Sequence, residues 1–293
     1  MAHFHQKTLF VNLALVLFIL TYVYRLVSTR IEIQGCESIQ VDPRTGLAYL
    51  ACGNRSARQK WLIPSKKRSA AKADPSDSVL VMDGNDNIQV LRLVELDHTS
   101  NKLVPYTQEF RVHGFDIYWD TLDPTELTFM FVNHQRTGDG ISIFQHKIGT
   151  RFLRHIKTVK SPLLYAANDV VATSRSTFYA TNDMRSTNKL MRMIEILFGM
   201  PWGHIVYYGH EKMLTTAASG ISYPNGIARS ADGNTIYVAA SSEPSINIFR
   251  PRPDGSLELM GKTVFGNFVP DNISVDTATG QLLVSGKCSS MFM

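Results

Sequence analysis

The sequence predicts an all-β fold, a β-propeller, on three observations. One unit recurs five times: a polar or acidic residue, an alternating strand, a Gly/Asp/Pro turn and an apolar second strand. The units start at Glu37, His113, Asn168, Asn225 and Asn272, at intervals of 76, 55, 57 and 47 residues. Further alternating strands, such as 246–251, lie between them. A period near 50 residues with about four short strands per unit is the pattern of propeller blades. A β-sandwich supplies turns at similar spacing but does not place a polar residue at the head of every unit.

Taken in order, residues 9–24 read LFVNLALVLFILTYVY, flanked by Lys7, Arg25 and Arg30, with only Asn12 and Thr21 polar and with Leu26 and Val27 extending the run. This predicts a transmembrane helix. No A-x-A-like cleavage site follows, so residues 1–30 are expected to be an uncleaved signal anchor. Residues 31–293 are then the propeller domain, expected in the secretory pathway, membrane-anchored, on the luminal or extracellular side.

In the first unit, Ile39 and Val41 alternate before the turn DPRTG at 42–46, and residues 47–50 are an apolar run. That is a hairpin pattern. Cys36 and Cys52 sit symmetrically about the turn, as either a cross-strand disulfide or two reduced, packed thiols, which leaves Cys288 unpaired. Much of the formal charge of +5 lies in Arg55, Arg58, Lys60, Lys66, Lys67, Arg68 and Lys72. In a Ser/Ala/Pro context this run reads as a solvated loop, and no nucleic-acid recognition module accompanies it.

The second unit, 113–134, carries Phe115, Ile117 and Trp119, a turn at Asp123-Pro124 and the strand LTFMFVN. The third, NDVVATSRSTFYATND at 168–183, opens and closes on Asn-Asp; the fourth turns at Asp232-Gly233 and the fifth at Thr279-Gly280. Residues 188–204 break the β pattern. Leu190, Met193, Ile194 and Leu197 recur at helical spacing opposite Lys189, Arg192 and Glu195, before Gly199 and Pro201. This predicts an amphipathic helix. It either packs across the propeller face or forms a lid or membrane-contact helix, with Phe198 and Trp202 at its end.

Innermost strands of a propeller surround one axis, so equivalent heads meet there. Glu37, Asn168, Asn225, Asp271 and Asn272 would bring together two carboxylates and three amide oxygens. Hard oxygen donors without thiolates suit Ca²⁺, and no closely spaced His/Cys set points to zinc.

The motifs HGFDIYWD, FVNH, NDVVAT, FYATND, YPNGI, DGNTIYVA and VPDNISVD, in this order and spacing, resemble the serum paraoxonase/arylesterase family over about residues 37–284. The resemblance implies a six-bladed propeller and a calcium-dependent hydrolase of lactones and aryl esters. It implies a catalytic calcium on Glu37, Asn168, Asn225, Asp271 and Asn272. It also implies a second, structural calcium on Asp169 and the carbonyl of Phe115, and a histidine pair, His113 and His134, that activates water. In that scheme calcium polarises the carbonyl and an imidazole takes the water proton; Glu37 or Asp271 could share the base role.

The chain departs from the family pattern in four places. Ser38 replaces an acidic residue of the second calcium site, Met184 stands where relatives often have His, the family's cysteine upstream of the Glu37 position and its partner near the C-terminus are missing, and a sixth blade is not present before Met293. The propeller is therefore expected to be C-terminally incomplete: a truncated product, a five-bladed closure, or a chain completed by a partner. The alternative function is a non-catalytic paraoxonase-like membrane protein that assists assembly or trafficking of other proteins. Expected partners are a small lactone or ester substrate and a membrane, through the anchor and the 188–204 helix, and no nucleic acid. Asn54 and Asn272 head glycosylation sequons; Asn54 is expected to be modified, and Asn272, buried on the metal, is not.

Overall fold

Five of the predicted heads open inner strands in a computed structural model, which describes residues 33–54, 77–120, 122–186 and 188–288. The first unit is the expected hairpin. Strand β1 (Ser38–Val41) pairs with β2 (Ala48–Cys52), Ile39 opposite Leu50. The Asp42 carboxylate accepts the Arg44 backbone N–H and its guanidinium, and Gly46, at φ +70, supplies the left-handed turn residue. Cys36 and Cys52 form a disulfide across this hairpin, and Cys288 is a free thiol.

β3 (Ser78–Met82) and β4 (Ile88–Asp97) complete the first sheet, with β5 (Lys102–Pro105) folded back on β4. The second sheet is β6 (Val112–Trp119), β7 (Glu126–Gln135), β8 (Gly138–Lys147) and β9 (Phe152–Val159). β4 and β9 pair in parallel, so the two merge into one nine-stranded sheet. Two four-stranded antiparallel sheets follow. One is β10 (Ala167–Ala172), β11 (Phe178–Asn182), β12 (Gly203–Tyr208) and β13 (Leu214–Ile221); the other is β14 (Pro224–Arg229), β15 (Ile236–Ala240), β16 (Ser245–Pro251) and β17 (Leu257–Val264). The fifth pairs β18 (Phe268–Val275) with β19 (Leu282–Cys288). β1, β6, β10, β14 and β18 are the inner strands, each packed beside the next from β1 to β18. The arrangement is propeller-like.

Alternating apolar residues bury themselves between successive sheets. An aromatic core of Tyr49, Phe110, Phe115, Phe129, Phe131 and Phe144 fills the first interface, with edge-on ring pairs such as Phe110–Phe131 at 5.2 Å. Val132, Ile141, Val170 and Phe178 fill the next, and Val171, Ile205, Ile227 and Val238 the one after. This stacking holds the inner strands, and hence the heads, in fixed relative positions.

One set of expectations is corrected here. Among the described residues no helix is long and apolar enough to cross a membrane, and the run at 9–27 read as an anchor lies outside the described residues. The one described α-helix, α1 (Lys189–Leu197), has nine residues. It is about 14 Å long, against a hydrocarbon core of about 30 Å. The membrane-anchored secretory placement, the membrane partner and the glycoprotein assignment at Asn54 that depended on it are therefore not carried forward; Asn54 itself is exposed. The basic run from Arg55 to Lys72 also lies outside the described residues.

The amphipathic helix expected within 188–204 is α1. Asn188 caps it, accepting from Leu190 and Met191 N–H. The polar stripe, not the apolar one, faces inward: Arg192 and Glu195 are buried, while Leu190, Met193 and Leu197 are exposed. Glu195 takes the backbone N–H groups of Arg185 and Ser186, and Arg192 pairs with Asp183 at 3.5 Å. The loop before the helix needs those acceptors, so the polar face is drawn in and the apolar face turns to the cavity described next.

Candidate active site

Four inner strands carry the same irregularity. Their registers shift between Val112 and Phe115, Ala167 and Val170, Pro224 and Ile227, and Pro270 and Ile273. Inside these shifts lie His113-Gly114, Asn168-Asp169, Asn225-Gly226 and Asp271-Asn272. A bulge takes residues off the ladder, bends the strand and re-aims a side chain. It is the device that turns each polar head out of its sheet. The backbones then approach so closely that a Cβ on Gly114 would collide with the Asp169 carboxylate.

A cavity of about 1100 Å³ opens over the heads and is lined by Glu37, His113, Asn168, Asn225 and Asp271. Its other wall is apolar, from Leu190, Met193, Ile196 and Leu197 of α1 with Val269 and Pro270. His113 Nε2 lies 3.5 Å from Glu37 Oε1. On its other side, His113 Nδ1 meets His134 Nε2 at 3.1 Å, and His134 Nδ1 meets Asp139 Oδ1 at 2.7 Å. Asn225 Nδ2 donates to Asp271 Oδ1 at 2.6 Å, and Asn168 Nδ2 to Asp183 Oδ2 at 3.4 Å. Burial pushes the Asp183 carboxyl above its ordinary range, opposed by the Arg192 guanidinium.

Of the expected calcium ligands, Glu37, Asn168, Asn225 and Asp271 share this cavity. Asn272 faces an adjoining space of about 460 Å³ together with Ser38, Gln40 and Asp169, and its Nδ2 donates to the Glu37 carbonyl at 3.0 Å. Among the described residues no three His, Cys, Asp or Glu side chains cluster closely enough to hold a metal. A site here therefore depends on amides: turning the Asn168 and Asn225 amides over presents their carbonyl oxygens beside the Glu37 and Asp271 carboxylates. That donor set is oxygen throughout and suits calcium.

The second calcium fares differently. The Phe115 carbonyl accepts Gln40 Nε2 at 3.0 Å. The Asp169 oxygens accept backbone N–H groups, Val170 at 2.9 Å and Ile227 at 3.1 Å, and the neighbouring position is the uncharged Ser38. These oxygens each accept one N–H from the chain and keep further lone pairs, while the uncharged Ser38 leaves Asp169 without a second carboxylate at this position.

Burial pushes the Asp169 carboxyl up to about 7, and the nearby Asp116 adds to the rise. A carboxyl raised in the folded state binds its proton more tightly there than when unfolded. Its favourable contribution is complete below about 4 and is lost as pH rises through about 7. The melting temperature of calcium-free protein is therefore expected to fall by several degrees between pH 4 and pH 7. Asp169→Asn should flatten that slope in a thermal scan; an unchanged slope would place the titration elsewhere.

Three residues at the site were not singled out by sequence reasoning. Asp139 lies directly opposite His134 across the β7–β8 hairpin; the signal was there, since Arg136-Thr137 is a two-residue turn in NHQRTGD. Asp183 belongs to the closing Asn-Asp of the third unit but carried no assigned role. Tyr223 lines the cavity at φ 57, a left-handed backbone unusual for a bulky residue and held by the Ser241 N–H on its carbonyl. Nothing in the local sequence announces it.

The arylesterase family matches residues 63–293. Over 250 residues the chain is 30% identical to serum paraoxonase/arylesterase 1 of Mus musculus, covering 85% of this chain and 65% of that protein. It is 28% identical to serum paraoxonase/lactonase 3 of Homo sapiens with the same coverage. The chain thus spans just under two thirds of the length of these relatives. Among solved structures, a luciferin-regenerating enzyme matches with a TM-score of 0.51 at 13% identity, covering 87% of this chain and 70% of that one. At that identity the likeness concerns the fold alone.

Proposed function

The chain belongs to the arylesterase family, and on that premise we propose that it is a calcium-dependent hydrolase of lactones and aryl esters. The observation that carries the reading is the His113–His134 pair opening onto the cavity shared by Glu37, Asn168, Asn225 and Asp271. Those four residues, with Asn272, would hold the calcium, which when bound polarises the ester carbonyl and stabilises the oxyanion. Nε2 of His113 is the base that takes the proton of the attacking water and returns it to the leaving alkoxide. The α1 wall of Leu190, Met193 and Ile196 suits the aryl or alkyl part of the substrate and excludes water from it.

The test is hydrolysis of a δ-lactone and of phenyl acetate by the full chain, with elemental analysis of bound metal. At least one calcium per chain is expected, held by Glu37, Asn168, Asn225, Asp271 and Asn272. Chelator should abolish turnover and added calcium restore it. Full activity in metal-free protein, or a chain that binds no calcium, would sink the proposal.

A further inference from the structure

Four of the heads sit in bulges that ladder pairs close on both sides. On β6 the chain takes three steps from Val112 to Phe115 while β7 takes two, from Asn133 to Phe131. The same count holds from Ala167 to Val170, Pro224 to Ile227 and Pro270 to Ile273. The fifth head, Glu37, stands just before β1, whose ladder with β2 begins at Ser38 opposite Ala51. Among the described residues no strand pair lies on the other side of Glu37. A disulfide stands there instead. The Cα atoms of Cys36 and Cys52 are 4.0 Å apart, so Cys36, rather than Glu37, lies opposite Cys52. From Ser38 back to Cys36 the first strand takes two steps, while β2 takes one, from Ala51 to Cys52. The extra residue is Glu37.

From this we infer that the Cys36–Cys52 disulfide is a positioning element: it closes the fifth bulge covalently and sets where the Glu37 carboxylate stands in the cavity, a role that rests on the calcium reading above. A residue taken off the ladder is aimed by the pairs that flank it. Glu37 turns its carbonyl to β18, where it accepts Asn272 Nδ2 at 3.0 Å, and its Oε1 to His113 Nε2 at 3.5 Å. Cys52 is the fixed end of the link, buried at the close of β2 beside Ala48, Leu50 and Leu80. The bond carries the rigidity of that strand to the residue directly before Glu37. Calcium affinity is therefore redox-sensitive. A dithiol reductant breaks the S–S bond, passing two electrons and two protons to the sulfurs to give two thiols, and itself closes to a disulfide. Glu37 then loses its closure on the N-terminal side and is aimed less sharply.

The experiment is calcium titration calorimetry on the full chain carrying Cys288→Ser, so that no third thiol takes part. It is run before and after dithiothreitol and again after reoxidation, with and without Glu37→Gln. Reduction should weaken calcium binding at least about tenfold, the effect of a misplaced donor, and reoxidation should restore it. In the Glu37→Gln chain, reduction should change the affinity less than about threefold, because the group being positioned is gone. Equal losses in both chains would overturn the inference, since the bond would then act on the whole fold. Unchanged affinity on reducing the chain that keeps Glu37 would overturn it too. A free thiol at Cys36 or Cys52 in the native chain, read by alkylation and mass mapping, would do so even where the reduced chain does not fold. Hydrogen exchange of the calcium-free chain is the second readout: reduction should speed exchange across residues 37–41 and leave 168–172 unchanged. That response in a chain that binds no calcium would refute the proposed function while upholding the positioning role; its absence would overturn the positioning role.

Discussion

His113→Gln should lower lactone and aryl-ester turnover by about 10²- to 10⁴-fold, the range typical of losing a general base. Gln is close to His in size but cannot accept a proton at neutral pH. The position is partly exposed at the cavity, with 13% of the side-chain surface accessible, so the fold should survive; a melting temperature within a few degrees of the parent checks this. The loss should fall on kcat more than on KM, because the apolar wall and the calcium donors are untouched. Full activity in this variant would move the base to a cavity carboxylate, Glu37 or Asp271. His134→Gln is the less clean probe, since it also leaves the buried Asp139 without its ring partner.

Gly226→Ala should destabilise the chain by about 2–3 kcal/mol, the upper part of the range for overpacking. A Cβ there would lie 2.7 Å from Asn272 Cα and Asp271 O and 2.8 Å from Ile273 N. These are backbone atoms, so no rotamer change relieves the contact; β18 itself must move. Its displacement carries Asp271 and Asn272 away from Asn225, so calcium affinity should fall at least roughly tenfold along with stability. Gly261→Ala is the control. That glycine, in β17, has open space where its Cβ would go and should stay within about 0.5 kcal/mol of the parent. Urea denaturation with and without calcium measures both. Parent-like stability and calcium affinity in Gly226→Ala would mean that the inner strands are not locked at the bulge.

The contrast between those two glycines shows how unevenly the site is written along the chain. Gly226 and Gly261 are each one glycine within a strand, and local sequence does not say which one faces a neighbouring backbone. The repeating pair His113-Gly114, Asn168-Asp169, Asn225-Gly226 and Asp271-Asn272 was legible as a series of polar heads. Its geometric meaning, a bulge on each inner strand, was not, because a bulge is defined by the register of a partner strand. Helix α1 makes the same point. Its 3.6-residue pattern and its Asn188 cap were readable, whereas the inward turn of Arg192 and Glu195 follows from Asp183 and the 185–186 loop, which need partners.

By itself, the sequence determined the strand periodicity, the first hairpin and the presence of the helix, which depend on residues close together in the chain, and the five polar heads, which showed through repetition of one short unit. Tertiary structure alone decided which donors are committed. Gln40 reaches Phe115 across 75 residues of chain, and Ile227 reaches Asp169 across 58. A carbonyl or carboxylate has few lone pairs, and which group fills them depends on what folding brings near. The same holds for the histidine pair: His134 and Asp139 meet through a local turn, but only packing of β6 against β7 sets His113 beside them.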